Sequence, residues 1–299
     1  PIFHVIRLGK PRRVVVATHR EPIAPLDVLL SHAQVWRWDS KEYAAAIQEV
    51  ANGHMKFACL MRRPVTAQLR QRILVSCRYV LSKNGSAHIP ILKPRESPVI
   101  WISVKVDNRR CLNLFEVVRH LTEIAAREYQ RLVILLDGVS FPFDWKPEYG
   151  GRIFREVHLQ AIDEFISNVQ QCAPPGVHVV NLNRRVLPEV LLHGAEAHTY
   201  LCHFGTQQHK IFLATTVSGV VHGNISVVKH HARRLRYLRS LGDYNAVLVP
   251  KRCVNPVYTV GNGREGVRGS VDLYDYELDV QMTIRLVIHL LRRALRATS

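Results

Sequence analysis

The chain has no CxxC pair and no run of about 18 uninterrupted apolar residues. The first absence speaks against a zinc ribbon and a dense disulfide scaffold. The six cysteines, Cys59, Cys77, Cys111, Cys172, Cys202 and Cys253, stand scattered and are expected to be reduced, buried thiols of a cytoplasmic protein. The second absence speaks against a membrane-spanning helix. Pro1 to Lys10 is too short an apolar run for a signal peptide and lacks a small-residue cleavage site. Because the chain opens on Pro1, native sequence before it is expected. Aromatic residues are few, 8% of the chain, and unclustered, so there is no stacking platform for a single strand of nucleic acid. Acidic residues are also scarce: 24 Asp and Glu stand against 41 Lys and Arg, a formal net charge of +17. That balance favours anionic partners, among which nucleic acid, acidic lipid and sugar phosphates all qualify. The basic residues are spread along the chain and not gathered in one stripe, which makes nucleic acid the less favoured partner.

What is present is the alternation of an α/β protein, in a chain of 299 residues, long enough for two such domains or one large one. Residues 1–95 alternate short β-branched runs with helical ones: FHVIRL, RRVVVAT, VWRW and FACLM between stretches such as SKEYAAAIQEVAN. Three prolines in Ile89 to Pro98 remove backbone donors and predict a linker. From Val99 the rhythm is plainer. VIWISVKV, a helix from about Leu114 to Tyr129, RLVILLDG, a helix near Phe154 to Val169, VHVVNL, RVLPEVLLHGAE, HTYLCHF, GTQQHKIFLAT and GVVHG follow in order. Fully apolar strands, each followed by an amphipathic helix, predict a doubly wound parallel sheet over residues 96–275. Ligands then belong at the C-terminal ends of its strands. The closing YELDVQMTIRLVIHLLRRALRATS reads as one basic amphipathic helix, given as 276–299.

Four places on that sheet edge carry candidate chemistry. In His203-Phe204-Gly205-Thr206-Gln207-Gln208-His209-Lys210, Gly205 allows a close turn, Thr206 offers a helix cap, and the first helical N–H groups suit a phosphate. Lys210 would add charge. An ordinary capped turn uses the same residues. This is no Walker loop, which needs more glycines before a Lys-Ser/Thr pair. In VIWISVKVDNRR the strand delivers Lys105, Asp107, Arg109 and Arg110, with arginine suited to bidentate phosphate contacts; a solvated charge cluster is the alternative. Asp137-Gly138 closes LVILLDG as a ligand contact or a turn, and His222 ends GVVHG in a catalytic or structural role.

The order VIWISVKVDNR, RLVILLDGVSF, VHVVNLNRRVLPEVLLHGAEAHTYLCHFGTQQHK and SGVVHG, covering about Val99 to Asn224, resembles the C-terminal, donor-binding half of a GT-B glycosyltransferase. The resemblance implies two Rossmann-like domains with a sugar nucleotide in the cleft between them. It implies that His203, Phe204, Gly205 and Thr206 hold the diphosphate with Arg109 as a second anchor, and that base and ribose lie nearer Asp137 and the turn from Asn181 to Arg184. Gln207, His209, Lys210, Gly138 and His222 complete the expected donor site. The paired-glutamate motif of many retaining members is absent, as is the Asp-containing form of the Gly-Thr turn seen in heptosyltransferase-like ones. The expected reaction moves a sugar from a nucleotide-diphosphate donor, its co-substrate, to a glycan, lipid-linked or protein acceptor, with no cofactor and no metal. Residues 1–95 would then be an abbreviated acceptor-side domain, in which His19 is the candidate base; a charged surface loop accounts for His19 equally well. The terminal helix and HHARRLRYLR are expected to attract an anionic membrane surface at its cytoplasmic face, or to be solvated helix faces.

Overall fold

The computed structural model describes residues 4–7, 14–18, 34–37, 57–59, 65–83, 97–107, 109–143, 156–240, 245–257 and 274–298. The predicted linker falls almost wholly outside them.

The first strands are β1 (His4–Arg7), β2 (Val14–Thr18), β3 (Gln34–Arg37) and β4 (Phe57–Cys59), joined in the order β3-β2-β1-β4. The sheet is mixed. β1 runs antiparallel to both β2 and β4, and only β2 and β3 are parallel. Residues 8–13 are all that separates β1 from β2, too few for the crossover of about a dozen residues that a parallel pair needs. Of the two Rossmann-like domains expected, the described residues therefore form one.

That one is the second sheet. Its strands are β5 (Val99–Ser103), β6 (Leu132–Asp137), β7 (Val177–Asn181), β8 (Thr199–His203), β9 (Gly219–His222) and β10 (Ala246–Leu248), in the order β10-β9-β8-β5-β6-β7. Every pairing is parallel. Numbered from β5 as first strand, this is the 3-2-1-4-5-6 order of the Rossmann fold. β5, β6, β8 and β9 are buried at every position, as strands covered on both faces must be.

The covering helices follow from the handedness of the crossovers. The chain moves one way from β5 to β7 and the other way from β7 to β10, so right-handed connections place the two sets of helices on opposite faces. α1 (Ala67–Lys83) packs with α4 (Leu187–Ala195) and α5 (Thr206–Ala214); α2 (Leu114–Glu128) packs with α3 (Glu156–Cys172) and with α8 (Val280–Thr298). Between β9 and β10 lie α6 (Ile225–Lys229) and α7 (His231–Ser240). Trp101, 1% exposed at the centre of β5, lies so close to Gly194 of α4 that a Cβ there would sit 2.1 Å from the indole ring. Glycine is what lets α4 approach the sheet.

The end of the chain differs from the single helix expected. A strand, β12 (Asp275–Leu278), pairs antiparallel with β11 (Val254–Val257), and α8 begins only after Asp279. Asp279 Oδ1 accepts the Met282 N–H at 2.9 Å, an N-cap that fixes where the helix starts. Ile284, Val287, Ile288, Leu290 and Leu291 are buried as α8 packs on α2, β8 and β9. Its apolar stripe is therefore occupied by the protein's own core. Among the described cysteines four are buried, and Cys172, the last residue of α3, is exposed.

Candidate functional site

The switch point of the sheet lies between β5 and β8, whose chains leave in opposite directions and open a crevice at their C-terminal ends. Ser103 ends β5 and His203 ends β8; the Ser103 hydroxyl accepts the His203 N–H at 2.9 Å and ties the two strand ends together. Above them sits a cavity of about 370 Å³ lined from three directions. The loop after β5 contributes Val104, Lys105, Asp107 and Arg109, the end of β6 contributes Gly138 to Ser140, and the turn into α5 contributes His203 to Gly205 with Gln207 and Lys210. His158, Leu159 and Ile162 close it from α3.

Gly205 has φ 143° and ψ −145°, a region open in practice to glycine alone. A Cβ there would meet nothing nearer than His203 Nδ1 at 3.9 Å, so the constraint is the backbone and not crowding. The turn delivers α5 with its N-terminus at the cavity, where the first N–H groups have no intrahelical acceptor and the helix dipole favours an anion. Gln208 secures the turn by accepting the Gly205 N–H at 3.3 Å, and Gln207 Nε2 donates to the Val104 carbonyl at 2.8 Å, locking α5 to the β5 loop. Arg109 in that loop has φ 58°, an unusual left-handed conformation for a non-glycine residue. The next residue holds it there: Arg110 binds Asp275 of β12 through Nε at 3.0 Å, Nη2 at 2.8 Å and its own N–H at 2.7 Å.

Lys210 and Asp137, read from the sequence as separate ligand contacts, are paired with each other. Lys210 Nζ donates to both Asp137 oxygens at 2.8 and 3.0 Å and to the Gly138 carbonyl at 3.0 Å. Asp137 is 1% exposed. Burial pushes its carboxyl up, while the charge and hydrogen bond of Lys210, helped by Ser140 and Trp101, pull it back down. The pair ties α5 to β6 through buried charge. The cations left along the wall are then Lys105, which is salt-bridged to Asp107, and Arg109.

His203 and His222 come together beneath the cavity with a third partner the sequence did not suggest. Their rings meet edge to face at 5.7 Å, and His222 Nδ1 hydrogen-bonds the Tyr276 hydroxyl at 2.6 Å. Burial holds the His222 imidazole down at about 3. Burial likewise holds His203 well below its ordinary value, with the charges of His222, Lys105 and Arg109 acting the same way and the Arg109 carbonyl opposing them. Both rings are neutral around pH 7.

The remaining expected residues divide. Phe204 lines the cavity, but its ring is held between the Arg234 guanidinium, 4.9 Å away, and Tyr237, 6.3 Å away. The His209 ring packs on Phe212 at 5.1 Å and does not line the cavity. Thr206 begins α5, its side chain outside the described residues, as is His19 altogether. Ser140 and His158, unmarked by any motif, join the wall; position after a strand, in a βα loop or a helix's first turn, is the signal that would have found them. Among the described residues no group of three or more His, Cys, Asp or Glu side chains could hold a metal ion.

Sheet order and cavity together define a Rossmann-like α/β protein with a cavity at the switch point of its sheet. No family model and no curated protein matches the chain. Among solved structures it is similar to a glycosyl transferase family 9 protein from Veillonella parvula DSM 2008, with a TM-score of 0.38 and 11% identity over 74% of this chain and 51% of that one. The chain thus spans about half the length of that protein.

Proposed function

We propose that the protein is a glycosyltransferase that binds a nucleotide-diphosphate sugar at the switch point and passes the sugar to a glycan, lipid-linked or protein acceptor. The observation that carries the reading is the meeting, at one cavity, of the α5 N-terminus, the Gly205 turn and the side chains of Lys105 and Arg109. Breaking a glycosyl–phosphate bond leaves charge on the departing diphosphate. A helix N-terminus and an arginine aimed at that charge would stabilise it, the part a divalent ion plays elsewhere. Metal independence is accordingly part of the proposal, and transfer activity should survive a chelator.

Peripheral attachment at the cytoplasmic face of a membrane is a second part. The apolar face of α8 is already buried, so attraction to anionic lipid would be electrostatic, through exposed residues such as Arg233 and Arg236 of α7. Among the described residues no helix is long and apolar enough to cross a membrane.

Calorimetric titration with uridine, guanosine, cytidine and thymidine diphosphates tests the reading. One of them is expected to saturate the protein. Arg109→Ala should weaken that binding at least about tenfold, the worth of a charge-assisted hydrogen bond. Gly205→Asp, which adds both backbone strain and a carboxylate beside the anion, should weaken it about a hundredfold. If no diphosphate binds while oligonucleotides bind with a steep salt dependence, the protein is a nucleic-acid binder and not a transferase.

A further inference from the structure

Among the described residues, Arg109 is the one non-glycine residue of the cavity wall with a left-handed backbone. A residue with a side chain stays at φ 58° only where its surroundings over-determine it. Here the peptide that joins Arg109 to Arg110 is clamped from both sides. Its N–H donates to Asp275 Oδ1 at 2.7 Å, and its carbonyl faces the His203 ring. Arg110 adds Nε and Nη2 on Asp275 Oδ2 at 3.0 and 2.8 Å. Asp275 is 3% exposed, and among the described residues its carboxylate accepts hydrogen bonds from Arg110 alone. A buried carboxylate is thus committed to a residue whose own side chain is 41% exposed and does not line the cavity. What Arg110 controls is its neighbour Arg109, which does line it.

β12 reaches the same loop through its backbone. The Arg110 carbonyl accepts the Tyr276 N–H at 2.9 Å, and the Tyr276 carbonyl accepts the Leu112 N–H at 2.8 Å. Asn113 closes the seam, donating to the Leu278 carbonyl at 2.8 Å and accepting the Leu278 N–H at 2.9 Å. Loop and strand therefore form one hydrogen-bonded unit. We infer that Asp275 is a positioning residue of the cavity: through Arg110 it holds the Arg109 backbone left-handed, which keeps the Arg109 guanidinium on the wall and couples β12 to an anion bound there. Released from the clamp, Arg109 returns to an ordinary φ, its Cα–Cβ bond turns, and the guanidinium leaves its place. The sign of the effect separates this role from simple electrostatics. Asp275 is itself an anion, so by charge alone its removal would tighten the binding of another anion; a positioning residue does the reverse. The inference rests on the proposed reading of the cavity as a diphosphate site and adds to it the residue that sets the arginine.

Pyrophosphate, titrated calorimetrically into the full chain, into Asp275→Asn, into Arg109→Ala and into the double variant, tests the inference as a cycle. Asp275→Asn, nearly equal in shape, is expected to weaken pyrophosphate about tenfold in the wild-type background and to change it by less than about twofold once Arg109 is alanine. Unchanged or tighter binding by Asp275→Asn overturns the inference and leaves the anion site standing. A loss of equal size in both backgrounds also overturns it, since Asp275 would then support the domain at large and not Arg109. If the wild-type protein does not bind pyrophosphate, the anion reading falls and the inference with it. A measurement on the wild type alone guards against a variant that fails to fold. Saturating pyrophosphate is expected to slow amide hydrogen exchange at Leu112 and Tyr276 at least about threefold more than at Val179 of β7, because coupling between two sites is reciprocal. Exchange at Leu112 and Tyr276 that does not respond to bound pyrophosphate overturns the coupling of β12 to the cavity.

Discussion

Lys210→Met lowers the stability of the protein by about 3–5 kcal/mol, because it strands a carboxylate in the core. Asp137 is 1% exposed, and Lys210 meets both of its oxygens. Without the ammonium, Asp137 keeps, among the described residues, only the Ser140 hydroxyl at 3.4 Å and the neighbouring Trp101 indole, so the group must take up a proton or remain charged in an apolar setting. The sign with pH follows. A carboxyl driven above its unfolded value binds more protons folded than unfolded, so its contribution worsens as pH rises. The deficit of the variant is therefore largest near pH 7 and narrows toward pH 4. Lys210→Met combined with Asp137→Leu recovers most of the loss, since removing both charges removes the cause. Urea denaturation of the wild type and both variants at pH 7 and pH 4.5 measures all of this. A single variant within about 1 kcal/mol of wild type that has lost its diphosphate affinity would show instead that Lys210 serves the ligand and that the pair is incidental.

That pair also marks where reading the sequence stops. β5, β6 and β8 were legible because a strand covered on both faces leaves a run of apolar residues, and the helix expected over Leu114 to Tyr129 forms over Leu114–Glu128. The Gly205 turn was legible for the same kind of reason, since a local conformation asks for a local residue. Asp137 and Lys210, by contrast, lie 73 positions apart, and each fits a ligand contact as well as it fits the other. Only the parallel pairing of β5 with both β6 and β8 brings them together. Tyr276 was hidden for a related reason. Its segment continues into the helical spacing of α8, and the Asp279 cap that separates strand from helix was visible but unused. The antiparallel pairing of β1 with β2 was within reach of the sequence, for the short connection over residues 8–13 forbids a parallel crossover. The left-handed backbone of Arg109 was not, because β12 imposes it through Arg110 and Asp275.

The second large effect is acid lability from the buried histidines. His222 titrates at about 3 in the folded protein and at about 6.5 once unfolded, so between those values the unfolded chain binds the extra proton and acid favours unfolding. Each such group removes about 1.4 kcal/mol per pH unit as the pH falls below about 6.5. His203, held down by burial and by His222, Lys105 and Arg109, acts with the same sign. The Tyr276 hydroxyl faces His222 but carries no charge to offset a proton there, since burial pushes the phenol well up. His222 alone should cost about 2 kcal/mol between pH 6 and pH 4.5, before most carboxylates titrate, and His203 adds to that loss with the same sign. His222→Gln, which keeps a polar partner for Tyr276, should flatten the dependence of urea stability on pH by about 1.4 kcal/mol per unit; identical slopes for the two proteins would mean that His222 is not the buried neutral ring described. The proposed anion adds a finer expectation. A phosphate beside His203 offsets the cations that help keep the ring neutral, so saturating pyrophosphate should make the wild-type slope shallower and leave the slope of His203→Gln unchanged.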